Sequence, residues 1–142
     1  MIKKEILIDA DVKKVWEIFC RIEDWPRWGV YIIDEEWASK DKWKVGSRFS
    51  QSIKGFYGFK KFRLNALVLE IIPFKSVTWK GTKPLVHGVH TFKFQKLGGK
   101  TKVTNMEYFK GPLAFIMYPF IKNKFGIYFE QFLNGLKEEA EK

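Results

Sequence analysis

The hydrophobic period of the chain changes twice, and each change marks a new kind of element. Residues 5–10 alternate around Ile6 and Ile8, which predicts a first strand. Asp11 then stands where an acid favours a helix start, and Val12, Val15, Trp16 and Phe19 follow at i, i+3, i+4 and i+7. Lys13, Lys14, Glu17 and Arg21 fall off that stripe, so the spacing predicts a short amphipathic helix. Cys20 beside it reads as a small packed hydrophobe. Asp24-Trp25-Pro26-Arg27-Trp28 predicts a tight turn or one helical turn, because Pro26 suits a first helical position.

From Val30 onward the period becomes two. Strand patterns cover residues 30–37, 47–53, 59–72, 76–80, 86–95 and 100–109. Turn chemistry separates them: Gly55 and Gly58 bracket a hairpin tip or flap, Pro73 ends a strand, and residues 81–84 form a loop. Gly98-Gly99, between two alternating runs, is the strongest hairpin signal in the chain. The run 59–72 is too long to stay flat and predicts a bend or bulge. The last change brings Tyr118, Ile121, Phe125, Tyr128, Phe129, Phe132, Leu133 and Leu136 onto one helical stripe. A helix over residues 119–141 would run roughly 35 Å at 1.5 Å per residue. Pro119 either opens that helix or kinks it from a preceding turn.

The order is strand, short helices, about six strands, then one long helix. This predicts an α+β domain over residues 1–142, with an antiparallel sheet of six to seven strands wrapped around the C-terminal helix. One rod inside a wide curved sheet leaves room between them, and that room is the predicted pocket.

Two polar residues stand on the apolar side of their strands. His90 shares parity with Phe92 and Phe94, and Glu107 with Phe109. If the hairpin closes at Gly98-Gly99, His90 lies directly across from Glu107. Such a pair could hold a ligand hydroxyl or carbonyl, or act as acid and base. It equally serves to stitch two strands together. Asn105 has the parity of Glu107 and could add an amide to the pocket. His87 takes the opposite parity and is expected to be exposed. Trp79, Phe92, Phe109, Tyr118, Phe125, Tyr128, Phe129 and Phe132 complete the candidate ligand-binding set, and the apolar run 113–121 is expected at one mouth.

Composition narrows the function classes. In 142 residues the aromatic fraction is 18%, suited to dense packing or to lining a cavity. The formal charge of +10 invites a nucleic-acid reading, but 22 of 26 basic residues are Lys, scattered with no run longer than two. Specific nucleic-acid recognition favours Arg forks, so no such partner is expected; weak contact with anionic membranes stays open. One cysteine forms no internal disulfide and points to a reducing, cytoplasmic setting. No signal peptide or membrane span is expected, the longest uncharged apolar run being residues 112–121. Two histidines and one cysteine lack zinc-ligand spacing, and neither a nucleophile elbow nor a phosphate loop occurs, so neither metal nor cofactor is expected.

Several spacings resemble the SRPBCC superfamily, the START-like or helix-grip fold that includes polyketide cyclase/dehydrase-like proteins. They are Ile8-x-Ala10-x-x-x-x-Val15-Trp16, Trp25-Pro26-x-Trp28, Val68-x-Glu70-x-x-Pro73, Val77-x-Trp79-x-Gly81, Gly88-x-His90-x-Phe92, Glu107-x-Phe109-x-Gly111 and the helix end after Asn134. Asp11 and Gly29 depart from the family's frequent Pro and Asn. The resemblance implies a cavity for a lipid, polyketide, steroid-like or aromatic ligand, and the superfamily holds carriers, sensors and enzymes. A binding module for a hydrophobic small molecule is the first expectation, as monomer or homodimer. The alternatives are a cyclase/dehydratase-like lyase or isomerase using His90 and Glu107, and a basic lipid-transfer protein at membrane surfaces.

Overall fold

The computed structural model describes all residues from Met1 to Lys142. Strand β1 (Ile2–Ile8) is followed by helix α1 (Val12–Cys20), a 3-10 turn (Ile22–Asp24) and the short α2 (Trp25–Trp28). Six strands follow: β2 (Ile32–Trp37), β3 (Arg48–Lys54), β4 (Lys61–Ile72), β5 (Ser76–Gly81), β6 (His87–Leu97) and β7 (Lys100–Lys110). Helix α3 (Ala114–Ala140) closes the chain. All neighbouring strands are antiparallel, in the order β1-β7-β6-β5-β4-β3-β2. The seven strands form the α+β half-barrel that the patterning predicts.

Local chemistry explains the elements. Asp11 caps α1, its carboxylate accepting from the Lys13 N–H at 3.3 Å, and Val15, Trp16, Ile18 and Phe19 bury the inner stripe. Cys20 packs beside them, and burial pushes its thiol pKa up to about 12, so it stays protonated. The expected irregularity in β4 falls between Val68 and Glu70, where the register against β5 shifts. Gly98 turns at φ +63°, and Leu97 pairs with Lys100 across the hairpin.

The final helix departs from expectation. It begins at Ala114, so Pro119 lies inside it rather than at its start. Gly111, at φ +106°, turns the chain off β7 so tightly that a Cβ there would sit 2.4 Å from the Leu85 carbonyl oxygen. The Met117 N–H then already bonds the Leu113 carbonyl at 3.0 Å, so the helical ladder is under way before Pro119. The missing proline N–H removes one bond near the helix start instead of forbidding the helix.

Packing is uneven along α3, and this positions the site. Toward the C-terminus, Phe132, Leu133, Leu136 and Ala140 are fully enclosed. At Gly135 the helix touches α2 so closely that a Cβ would lie 2.2 Å from the Trp28 carbonyl oxygen. Rings of Phe19, Trp25, Trp28 and Phe92 surround Phe132 at centroid distances of 4.9–6.2 Å. No helix residue before Gly126 is fully buried. The sheet therefore grips the second half of α3 and stands away from the first.

Candidate functional site

Under the first half of α3 lies a cavity of about 300 Å³. Met117, Ile121, Phe125, Tyr128, Phe129 and Phe132 form its helical wall, at the spacing that keeps one helix face inward. Trp79, His90, Phe92, Glu107 and Phe109 come from β5, β6 and β7. Asn65, Thr82, Lys83 and Met117 are lining residues that also reach solvent, and they mark the mouth.

His90 and Glu107 are paired directly across β6 and β7, as the hairpin arithmetic requires. His90 Nδ1 and Glu107 Oε2 are 3.6 Å apart. The other ring nitrogen, Nε2, is 2.5 Å from Asn105 Oδ1. An amide oxygen only accepts, so Nε2–H donates and Nδ1 carries the lone pair that faces Glu107. The imidazole is held by rings on three sides: Phe92 at 5.0 Å, Phe129 at 4.8 Å and Trp79 at 4.8 Å between centroids. Burial lowers its pKa to about 4, outweighing the Asn105 hydrogen bond, which favours the charged ring. Burial likewise raises the Glu107 pKa to about 8. At neutral pH the pair is thus a carboxylic acid beside a neutral imidazole, and the cavity floor carries no net charge.

Gly88 makes room for that acid. A Cβ at Gly88 would lie 2.0 Å from Glu107 Oε2, so the carboxyl lies over the bare glycine backbone. On the opposite wall Tyr31 stacks on Tyr128, with centroids 4.5 Å apart and planes at 5°. Tyr128 donates its hydroxyl to the Lys54 carbonyl at 2.8 Å. Tyr31 lines the cavity, and its ionisation is suppressed by burial first and then by charges on Glu35 and Glu107, so its phenol stays a donor. Gln51 adds an amide from β3. Across from Gln51 stands Glu35, whose pKa burial pushes well above the carboxylate range.

Most candidate residues converge on this cavity, but two do not, and His87, expected to be exposed, lines it. Asn105 is fully buried behind His90 and does not line the space; its Nδ2 has no partner. Parity gives a residue its face, not its depth. Tyr118 lies one helical step from Met117, rotated off the cavity wall, where its hydroxyl accepts from the Met1 amino group at 3.2 Å. His87 is half-buried at the mouth rather than exposed, and Nδ1–H donates to the Lys83 carbonyl at 3.0 Å. Tyr31, Gln51, Phe56 and Phe62 were not among the candidates. Gln51 carried the same signal as His90, a polar residue between inward Phe49 and Ile53.

A family model described as polyketide cyclase / dehydrase and lipid transport matches residues 2–141. A search of curated proteins finds no match to the sequence. Among solved structures, a protein from Thermus thermophilus is 15% identical with TM-score 0.80, covering 98% of this chain and 95% of that one. The Zhui aromatase/cyclase from Streptomyces is 12% identical with TM-score 0.78, covering 99% of this chain and 92% of that one. A START superfamily protein from Mycobacterium smegmatis is 14% identical with TM-score 0.75, covering 99% of this chain and 96% of that one. At these identities the likeness shows the START-like fold.

Proposed function

The chain belongs to the polyketide cyclase/dehydrase and lipid transport family, and from that premise we propose that its cavity binds a hydrophobic small molecule: a lipid, a polyketide or an aromatic compound. The observation that carries the reading is the hollow of about 300 Å³ with an uncharged polar pair set into its aromatic wall. Burying ligand carbon there supplies affinity at roughly 25 cal/mol per Å² of apolar area. A ligand oxygen bound at Glu107 would accept from a protonated carboxyl, and one near Tyr31 would meet a phenol donor. A carboxylate or ammonium set against the His90–Glu107 pair would lose its hydration without a counter-charge there, so the floor of the site favours neutral oxygen functions over ions.

Native mass spectrometry of the protein as purified, followed by organic extraction, tests this. A bound neutral apolar compound, lost or weakened in Glu107→Gln, is the expected result. Failure to take up any member of a broad apolar library contradicts it.

A second reading, a cyclase or dehydratase, is favoured by one specific feature: an acid with pKa about 8 lies 3.6 Å from an imidazole lone pair. Glu107 would protonate a leaving hydroxyl while Nδ1 of His90 accepts a substrate proton. Under this reading, Glu107→Gln abolishes turnover of a hydroxylated polyketide while its binding survives.

A further inference from the structure

The cavity mouth opens through a surface that is both apolar and cationic. Three segments build it: the loop after β3, the loop before β6 and the first turns of α3. The Tyr57 hydroxyl donates to the Phe120 carbonyl at 2.9 Å, and the Leu113 N–H donates to the Leu85 carbonyl at 2.9 Å, so the segments form one continuous face. Phe115 is 91% exposed, and Tyr57, Phe59, Leu85, Ile116 and Phe120 stand more than half exposed beside it. A folded protein gains nothing by presenting so many large side chains to water within one patch.

The charge around this patch has a single sign. Between Asp41 and Glu130 the only acidic residues are Glu70 and Glu107, and Glu107 points into the cavity. Lys60, Lys83 and Lys122 are exposed on the same three segments, Lys110 is exposed at the end of β7 that leads into α3, and no ion pair engages any of the four. A second copy of the chain would bring the same lysines face to face, each partner carrying +10. A zwitterionic surface has no net negative potential to attract the ammonium groups. The pattern of aromatic and aliphatic side chains ringed by lysines matches the interface of an anionic bilayer, where rings sit among acyl chains and ammonium groups reach phosphates.

We propose that this face docks on anionic lipid bilayers, with Phe115, Ile116 and Phe120 inserted and the lysines at headgroup level. Docking seals the mouth against the membrane, so an apolar molecule passes between acyl chains and cavity without crossing water. The docking does not depend on the proposed ligand: a bilayer-binding protein with an empty cavity leaves it standing, and a filled cavity without bilayer binding overturns it alone.

Co-sedimentation of the full chain with vesicles of phosphatidylcholine, with and without phosphatidylserine, is the test. Binding is expected only with phosphatidylserine, and it should collapse in about 0.5 M salt, where charges beyond a few ångströms are screened. Phe115→Ser with Ile116→Ser should lower the partition coefficient about tenfold or more. Lys110→Gln with Lys122→Gln should lower it about fivefold per lysine. All four positions are exposed, so thermal unfolding should be unchanged and serves as the folding control. Absence of binding to phosphatidylserine vesicles overturns the proposal. So does binding that neither variant pair weakens, or self-association in sedimentation velocity that the apolar pair abolishes while vesicles stay unbound.

Discussion

Replacing Glu107 by Gln should change how stability depends on pH, because the native protein holds a proton that the unfolded chain releases. The folded pKa is about 8, against an ordinary value of 4.5. Between those values the native state binds one more proton than the unfolded state, so stability falls as pH rises. His90 acts oppositely: its folded pKa of about 4 lies below the ordinary 6.5, so its contribution is lost as pH falls through that window. From pH 4.5 to 6.5 the two slopes cancel. Above pH 6.5 only Glu107 remains, and at 1.36 kcal/mol per pH unit the 1.5 units up to pH 8 correspond to about 2 kcal/mol. Urea denaturation of the wild type and Glu107→Gln at pH 6.5 and 8 isolates this quantity. Glu35, which titrates in the same direction, is common to both proteins and drops out of the difference. The wild type should lose about 2 kcal/mol more than the variant over this interval. A salt-bridged pair, with imidazolium facing carboxylate, would reverse both shifts. Equal losses in the two proteins, or a greater loss in the variant, would refute the neutral-pair reasoning.

Gly88→Ala should cost about 1–3 kcal/mol through overpacking against the Glu107 carboxyl, and the cost should shrink in a Glu107→Ala background, as a double-mutant cycle in urea will read. Asn105→Ala leaves the His90 Nε2–H without its acceptor and should destabilise by about 1–3 kcal/mol. In the wild type, ¹⁵N chemical shifts should report the neutral Nε2–H tautomer of His90 at pH 6, with protonation appearing only near pH 4. A His90 titrating near 6.5 would contradict the desolvation argument.

The strands were legible because alternation is local: each inward residue declares itself through its neighbours two positions away. The His90–Glu107 pairing was legible for a related reason, since a two-residue turn at Gly98-Gly99 fixes the register of everything above it. What failed needed depth or global geometry. Parity put Asn105 on the inner face, but only the packed structure shows His90 standing between it and the cavity. Tyr118 belongs to the apolar stripe, yet a stripe wide enough to bury a helix includes positions that miss the hollow. Pro119 read as a boundary, because the close approach of Gly111 to Leu85, which starts the helix earlier, is a tertiary contact. The uneven grip of sheet on helix was likewise invisible, since it depends on Gly135 meeting Trp28 across the fold.

That uneven grip is what makes the inside of this protein hollow, and an intermolecular NOE experiment looks there most directly. A neutral apolar probe such as 1-naphthol, added to labelled protein, should show cross-peaks to ring protons of His90, Phe92 and Phe129 and should saturate at one equivalent. Cross-peaks confined to Phe115 and Ile116 on the surface, or shifts that never saturate, would mean that the hollow accepts no guest.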